Sequence, residues 1–319
     1  MTHIAVTGAN GFVGRSVVQA LLAHGHEVTA VVRNKTTNAA GIRQCVVSEA
    51  ASSPWPLDLK PDAVIHLAAR VHVLREDEAD ALAAFRAVNV AGALRVAKTA
   101  VRAGARRMVF VSSIKALRET DTGQPLREDD VPQPQDPYGV SKLEAERELV
   151  RFGKDVGLDV VIVRPPLVYG PEVRANFFQL LTAIDRGIPL PLGAITARRS
   201  LVYNANLADA LMQCAIDARA AGECFHITDG TDLTVPELVE ALGRHLQKEV
   251  WLPHMPASWL LAAGKLTGRL PQIERLVKPL RVDSSHIRQK LGWQPRFSVD
   301  EGLALTAQWY RSSRRGEAS

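Results

Sequence analysis

A tyrosine and a lysine, Tyr138 and Lys142, stand four residues apart in the run Tyr-Gly-Val-Ser-Lys. Residues with this spacing lie on one face of a helix, one turn apart. A free phenol titrates at ~10 and is a poor base at neutral pH, but a nearby cation stabilises the phenolate. We therefore expect Lys142 to lower the pKa of Tyr138, so that the phenol exchanges a proton with a substrate hydroxyl group.

A glycine-rich segment, residues 7–14, forms a second candidate site with the letters Thr-Gly-Ala-Asn-Gly-Phe-Val-Gly. It follows an apolar run at residues 3–6, which is typical of a buried strand, and leads into a predicted helix. In this context Gly8 permits a tight turn, Gly11 lets a pyrophosphate approach the backbone, and Gly14 lets the helix close on the strand. Because N–H groups at a helix N-terminus bind phosphate, the segment predicts a dinucleotide site.

The end of the next predicted strand, Glu27–Val32, is the place where the sequence can distinguish NAD from NADP as the bound dinucleotide. NAD-binding folds commonly place a carboxylate there to accept the hydrogen bonds of the adenosine ribose. This chain has Val32 instead, followed by Arg33 and then by Lys35. Arg33 is either a solvated loop cation or a partner for the 2′-phosphate of NADP. The pattern favours NADP(H) as the cofactor, with NAD(H) as the alternative.

Together these motifs resemble the extended short-chain dehydrogenase/reductase family, which contains nucleotide-sugar epimerases, dehydratases and 4-ketoreductases. The resemblance runs almost from end to end and includes the strand Met108–Ser113 and the segment Val161–Pro171. It implies that Ser113, Tyr138 and Lys142 are catalytic, with Ser113 hydrogen-bonding the sugar oxygen that gains or loses a proton. The cofactor-binding residues that it implies are Gly8, Asn10, Gly11, Phe12, Val13, Arg33, Leu67, Ala68, Ala69, Asn89, Tyr138, Lys142 and Pro165.

The same resemblance implies that the substrate is a UDP-sugar. Asn176 matches a family residue that meets the nucleotide-sugar, and Arg199 matches an arginine that grips a substrate phosphate through a charge-assisted hydrogen bond. Ser113 is the third substrate-binding residue. Without the family, Arg199 would be interpreted as a surface cation.

Departures from the family pattern narrow the range of reactions that we expect. Ile114 and Lys115 stand where 4,6-dehydratases carry an Asp–Glu pair, so we expect no dehydration. Leu167 stands where many relatives have an asparagine near the substrate phosphates. Both changes resemble a UDP-glucose 4-epimerase-like subgroup found among enzymes of bacterial surface-polysaccharide and O-antigen synthesis.

Three functional hypotheses follow from this resemblance. The favoured one is a 4-ketoreductase that delivers hydride from NADPH to a UDP-4-keto-6-deoxy-N-acetylhexosamine. The alternative is a 4-epimerase of a UDP-hexose or UDP-N-acetylhexosamine that keeps NAD bound. The third is a dinucleotide-sensing regulator without chemistry, and the intact set Ser113, Tyr138 and Lys142 argues against it.

Predicted strands alternate with helical stretches to about residue 165. This order predicts an α/β fold with a doubly wound parallel (Rossmann) sheet, which positions these residues. We expect an NAD(P)-binding domain at residues 1–165, completed by roughly 200–228. A smaller α/β substrate domain is expected at roughly 166–199 and 229–319. Helical stretches are predicted over Phe12–Ala23, Ala79–Ala103 and Tyr138–Val156. In the family the last two pair across a homodimer axis; alternatively, they only cover the sheet of one subunit.

Composition limits the partners and the compartment. The 319 residues are 46% hydrophobic and 23% charged, which is ordinary for a soluble protein. Three cysteines without metal-ligand spacing predict a reducing, cytoplasmic setting and no metal site. The net charge of +5 comes from scattered basic residues, so we expect no nucleic-acid partner. No signal peptide is recognised before the first strand, and the apolar stretch Trp251–Leu266 is too short and too polar to span a membrane.

Overall fold

A computed structural model describes residues 1–35, 42–47, 55–56, 58–71, 78–268 and 270–316 of the chain. Within these ranges the strands are β1 His3–Thr7, β2 Glu27–Val32, β3 Arg43–Val46, β4 Ala63–His66, β5 Arg107–Val111, β6 Asp159–Arg164, β7 Leu167–Tyr169, β8 Arg198–Arg199, β9 Leu201–Tyr203, β10 Cys224–His226 and β11 Leu233–Thr234. The α-helices are α1 Phe12–Ala23, α2 Glu78–Phe85, α3 Ala91–Arg102, α4 Pro137–Val156, α5 Ala175–Asp185, α6 Asn204–Ile216, α7 Val235–Leu246, α8 Ala257–Leu266, α9 Leu270–Val277, α10 Ser285–Leu291 and α11 Val299–Gly316. A π-helical turn spans Arg86–Val90, and short 3₁₀ helices span Ile114–Ala116 and Ala218–Ala220.

A seven-stranded parallel sheet organises the molecule, with the strand order β10-β6-β5-β4-β1-β2-β3. The chain order reverses between β1 and β4, and parallel sheets bind ligands outside the carboxyl ends of the strands at such a point. Thr7 of β1 lies opposite His66 of β4, which lies opposite Phe110 of β5. The segments that follow these three residues therefore emerge side by side at one edge. The predicted doubly wound α/β fold is confirmed.

Helices cover both faces of this sheet, as its nearly continuous apolar strands require. One face packs against α1 and α6 through side chains such as Leu21 and Leu211. The other face packs against α3 and α4 through Val96 and Leu149. A third apolar cluster, which includes Tyr169, is formed with α5, α7 and α11. Two small sheets, β7–β9 and β8–β11, complete the strands of the described residues.

The predicted element bounds agree closely where the apolar pattern is strong and fail where it is weak. Helix α1 and strand β2 have the predicted ends. The strand β3 was not predicted from the sequence. The predicted helix Ala79–Ala103 is interrupted by the π-helical turn. Strand β10 joins the main sheet and α6 packs beside α1, while the division into two domains stays a prediction.

Within the described residues, every helix is too short or too polar to cross a lipid bilayer.

The close approach of α1 to the glycine turn gives a testable prediction about stability. A Cβ atom added at Gly14 would collide with the carbonyl oxygen of Gly8 and lie 2.8 Å from the Cα of Ala9. We expect Gly14→Ala to lower the free energy of unfolding by about 1–3 kcal/mol, the usual cost of overpacking. Gly92→Ala is the matched control, since Gly92 is also helical and its Cβ would have only ordinary contacts at 3.8 Å.

Urea unfolding of the wild type, Gly14→Ala and Gly92→Ala measures the change in the free energy of unfolding for each variant. Gly92→Ala should be neutral or stabilising, because alanine is more favourable than glycine within a helix. Equal changes for the two variants would contradict the close-packing argument.

Candidate active site

The turn after β1 has the shape of a phosphate cradle. Gly8 has φ +69°, and a Cβ there would lie 2.9 Å from the backbone nitrogen of Ala68. Gly11, the N-cap residue of α1, has no side chain to satisfy the N–H groups of the first turn. A Cβ at Gly11 would have one close neighbour among the described residues, the Gly8 carbonyl oxygen at 3.1 Å. The open N–H groups and the open side of Gly11 fit a dinucleotide pyrophosphate.

The strands on either side complete the walls that the sequence predicted for a cofactor. After β4, Leu67 N donates to Thr7 O at 3.2 Å, and Ala68 N lies 3.4 Å from Thr7 Oγ1. After β2, Val32 is buried, whereas Arg33 is exposed. Arg33 forms no ion pair with any residue that the structure describes. Its guanidinium is therefore available to a ligand at the edge of the sheet.

Asn89 links the exit of β4 to helix α4. It lies in the π-helical turn and is 1% exposed. Its Oδ1 accepts from Arg70 N at 2.9 Å, and its Nδ2 lies 3.1 Å from Arg70 O and 3.0 Å from Ser141 Oγ. π-helical turns frequently occur at functional sites. In this one Asn89 is buried and holds Ser141, the residue before Lys142.

Ser113 and Tyr138, two of the predicted catalytic residues, are positioned by the end of β5 and the start of α4. Ser113 follows β5 and caps the 3₁₀ turn, where its Oγ accepts from Lys115 N at 3.3 Å. Tyr138 lies in the first turn of α4, whose N-cap, Asp136, accepts from Gly139 N at 2.7 Å. The Ser113 hydroxyl lies near enough to Tyr138 to oppose the rise of the Tyr138 pKa. A hydroxyl pair of this kind can orient and protonate one substrate oxygen.

The spacing predicted that Lys142 lowers the pKa of Tyr138, whereas the structure indicates a shift in the opposite direction. Burial raises the pKa of Tyr138 to about 12, and the Asp136 carboxylate adds to this shift, while the Ser113 side chain opposes it. Lys142 Nζ instead donates to Val111 O at 2.7 Å and lies 4.2 Å from the centroid of the Phe110 ring. The phenol is therefore protonated at neutral pH and ready to donate.

Lys142 is itself strongly perturbed by its position. It is 1% exposed, and this burial lowers its pKa to about 7, although the Glu146 carboxylate opposes the shift. Behind it, His66 stacks on Phe110 and shares a 2.6 Å hydrogen bond between its Nδ1 and Thr7 Oγ1. Burial, and then the charge of Lys142, lower the pKa of His66 to about 3. His66 is thus a neutral wall of the pocket that holds the lysine.

A buried ion pair that the sequence analysis missed supports Lys142 from the next turn of α4. Arg164 Nε lies 3.0 Å from Glu146 Oε1, and its second nitrogen lies 2.6 Å from Oε2. Ser112 Oγ donates to the same carboxylate at 2.5 Å. The signal was present in the sequence, because Tyr138, Lys142 and Glu146 continue one helix face at intervals of four residues.

A second charged group, also missed from the sequence, lies beside Tyr138. Lys115 forms ion pairs with Asp136 and with Glu119, the latter at 3.2 Å. Arg275 of α9 lies 2.9 Å from Glu119 and 3.6 Å from Asp136. We call Lys115, Glu119, Asp136 and Arg275 the mouth cluster. It connects the loop after β5 to the second half of the chain.

The predicted substrate residues are less closely gathered than the catalytic set. Asn176 is exposed in the first turn of α5, beside Ala175, which has an unusual φ of +53°. Arg199 donates from one nitrogen to the carbonyl oxygens of Arg275 at 2.5 Å and Lys278 at 2.8 Å. A substrate phosphate would therefore have to meet the remaining guanidinium nitrogens. The roles of both residues stay predictions.

Two other features give no further functional group. A cavity of about 400 Å³ opens between α1 and α6, but its charges are already paired, Arg15 with Glu172 and Arg296 with Asp209. It contains none of the predicted catalytic residues. Among the described residues, no group of His, Cys, Asp or Glu side chains is arranged to hold a metal ion.

The buried lysine predicts a specific dependence of stability on pH. Between pH 7 and 10.5 the unfolded chain keeps a proton on residue 142 that the folded chain releases, so the free energy of unfolding rises with pH across this window. Lys142→Met removes this contribution. Its stability relative to wild type should therefore be highest below pH 7 and should decline towards pH 10.5.

Urea unfolding of both nucleotide-free proteins at pH 6, 8 and 10 measures this difference. Lys154→Met is the control, since Lys154 lies on the same helix and is exposed. A difference for Lys142→Met that does not change with pH would refute the shifted pKa.

Comparison with known proteins agrees with this geometry. The family model described as "NAD dependent epimerase/dehydratase family" matches residues 4–227. A Vibrio cholerae protein named UDP-glucose 4-epimerase is 41% identical over 309 residues, covering 96% of this chain and 94% of that protein. The GDP-6-deoxy-D-mannose reductase of Pseudomonas aeruginosa is 26% identical, covering 96% and 97%.

A solved structure has the same fold. MoeE5 in complex with UDP-glucose and NAD superimposes with a TM-score of 0.77 at 28% identity, covering 98% of this chain and 99% of that one. The resemblance to nucleotide-sugar short-chain dehydrogenase/reductases is confirmed, whereas the subgroup stays a prediction. The family match covers more than half of the chain, and a relative above 40% identity covers nearly all of it. The chain is therefore an enzyme that belongs to the NAD dependent epimerase/dehydratase family.

Proposed function

We propose that this enzyme is a 4-epimerase of a UDP-linked hexose or N-acetylhexosamine that supplies sugars for surface polysaccharides. The observation that carries the proposal is that Ser113, Tyr138 and Lys142 lie at the same edge of the sheet as the glycine turn, with β4 between β5 and β1. The 41% identical relative, named a UDP-glucose 4-epimerase, supports the 4-epimerase over the 4-ketoreductase that the sequence alone favoured. The UDP-glucose and NAD bound by MoeE5 support the ligand classes.

The cofactor, when bound, would accept a hydride from carbon 4 of the sugar and return it. Tyr138 would remove the proton of the 4-hydroxyl group and later restore it, while Ser113 would hold the same oxygen. Lys142 would hold the nicotinamide ribose, and one turn of helix brings its charge to the face that carries Tyr138. Because burial raises the pKa of the phenol, its phenolate must be stabilised when it takes the proton of the 4-hydroxyl group.

A 4-ketoreductase is the second candidate, supported by the end of β2. Val32 replaces the usual carboxylate, and the exposed Arg33 suits the 2′-phosphate of NADP. The relative named as a GDP-6-deoxy-D-mannose reductase supports a reductive direction. Asn176 and Arg199 are proposed substrate contacts in both cases, and we propose a cytoplasmic homodimer that pairs through α4 and the helices at 78–102.

One experiment separates the two candidates. Mass spectrometry identifies the nucleotide that co-purifies, and assays with UDP-glucose, UDP-N-acetylglucosamine and a UDP-4-keto sugar plus NADPH then measure turnover. Bound NAD together with interconversion of 4-hydroxyl epimers supports the epimerase. Stoichiometric consumption of NADPH with a 4-keto sugar and no epimerisation would replace it with the reductase.

The catalytic roles can be tested on the hydroxyl groups themselves. Tyr138→Phe keeps the ring and removes the proton donor, so turnover should fall ~10²–10⁴-fold while both ligands still bind. Ser113→Ala leaves Tyr138 in place and should be the milder change. Tyr310→Phe is the matched control. It removes a tyrosine hydroxyl that contacts Thr182 at 3.4 Å and is not part of the predicted catalytic set. Near-normal turnover of Tyr138→Phe would disprove the mechanism.

The role of Arg33 can be tested by comparing cofactors. Losing one charge-assisted phosphate contact costs ~1.5–3 kcal/mol, about ten- to a hundredfold in affinity. Arg33→Ala should weaken NADPH binding by this factor and leave NADH binding nearly unchanged. Lys35→Ala is the control, because it removes an exposed charge two residues away. If Arg33→Ala lost equal affinity for NADPH and NADH, Arg33 would be a solvated loop cation and not a ligand of the 2′-phosphate.

A further inference from the structure

Helix α8 presents an apolar face to solvent. Trp259 is 69% exposed and Leu266 is 88% exposed. Ala262 and Ala263 are also exposed, and the spacing of the four residues places them on one side of the helix. A second indole, Trp251, is 67% exposed just before the helix. Exposed residues of this size in one short segment mark an interaction surface.

The opposite side of α8 already has its partner. Leu260 and Gly264 are buried, and a Cβ added at Gly264 would lie 2.9 Å from Ile273 of α9. The absence of a side chain at Gly264 therefore lets α9 close against this side. The face with Trp259 and Leu266 points away from that contact, and the residues that the structure describes leave it exposed to solvent.

The charges around this face favour an anionic partner. Residues 250–273 contain no Asp or Glu. Lys265 is exposed one residue before Leu266. Two copies of the chain packed face to face would bring two Lys265 side chains together without an acid of this segment to balance them. A bilayer with anionic lipids offers both an apolar interior and negative headgroups.

The surface is also close to the candidate active site. Helix α9, which packs on α8, carries Arg275 of the mouth cluster. Asp136 of the same cluster caps the helix that bears Tyr138. A lipid surface touching α8 would therefore lie next to the helix that carries Arg275 of the mouth cluster.

We propose that α8 docks this enzyme reversibly on the surface of an anionic membrane, through Trp259 and Leu266, with Lys265 facing the headgroups. Indole and leucine side chains on one helix face and basic residues beside them are the pattern of a helix that lies in the bilayer interface. A helix of 10 residues gives weak binding, so the enzyme exchanges between membrane and solution.

Vesicle flotation tests this docking with the full-length enzyme. Wild type should float with phosphatidylcholine–phosphatidylglycerol vesicles and much less with phosphatidylcholine alone, and binding should weaken with salt. The double variant Trp259→Ser/Leu266→Ser should reduce partitioning by about a hundredfold. Ile216→Ser, an exposed apolar residue at the end of α6, should bind as wild type does. Circular dichroism checks that each variant is folded.

Fluorescence quenching locates the contact. Brominated lipids should quench the wild-type emission, and Trp259→Phe should lose the share of this quenching that comes from Trp259 while still floating. The proposal is overturned if wild type does not bind anionic vesicles, or if the double variant binds as well as wild type. A double variant that instead changes the oligomeric state in sedimentation, with no vesicle binding by wild type, would assign the face to a second copy.

Discussion

The burial of one ammonium group, that of Lys142, is the constraint on which the candidate site depends. A charged lysine in the interior loses its hydration, and the loss must be offset by nearby dipoles and charges. Here the offset comes from the Val111 carbonyl, the face of Phe110 and the charge of Glu146. Each of these groups belongs to β5 or α4. The lysine therefore fixes the helix that carries Tyr138 against the strand that delivers Ser113.

The Glu146–Arg164 pair extends this constraint to a third element. An isolated carboxylate one turn from Lys142 would carry a large desolvation cost, but the bidentate contact with Arg164 and the Ser112 hydrogen bond satisfy it. Arg164 is the last residue of β6, and Pro165 follows, whose carbonyl accepts from Ile114 N at 3.0 Å. Strands β5 and β6 and helix α4 are thus held by one polar network just beneath the reacting groups.

Sequence patterns predicted the parts of this arrangement that depend on local rules. The glycine turn, the bounds of α1 and the i, i+4 relation of Tyr138 and Lys142 follow from the backbone alone. The direction of the Tyr138 pKa shift could not be predicted, because spacing fixes the face of a residue and not the path of its side chain. Lys142 turns towards Val111, a contact 31 residues away in sequence.

Long-range partners account for the features that the sequence did not predict. Strand β3 has only four residues of mixed polarity, so nothing local distinguishes it. The inward position of Asn89 requires the π-turn, which depends on Arg70 and Ser141. Arg199 was interpreted as a phosphate ligand from its motif, while its engagement with the carbonyls of Arg275 and Lys278 needs α9 in place.

The two positions after Ser113 show how such partners limit the chemistry. Ile114 is 2% exposed and packs with Leu117, Leu126, Leu280 and Val282 in a small core. Lys115 is held by the two carboxylates of the mouth cluster. Where dehydratases place an acid and a base, this chain has one packing residue and one paired cation. Elimination of water needs both of those groups, so their replacement is consistent with the proposed reaction at carbon 4, which involves no dehydration.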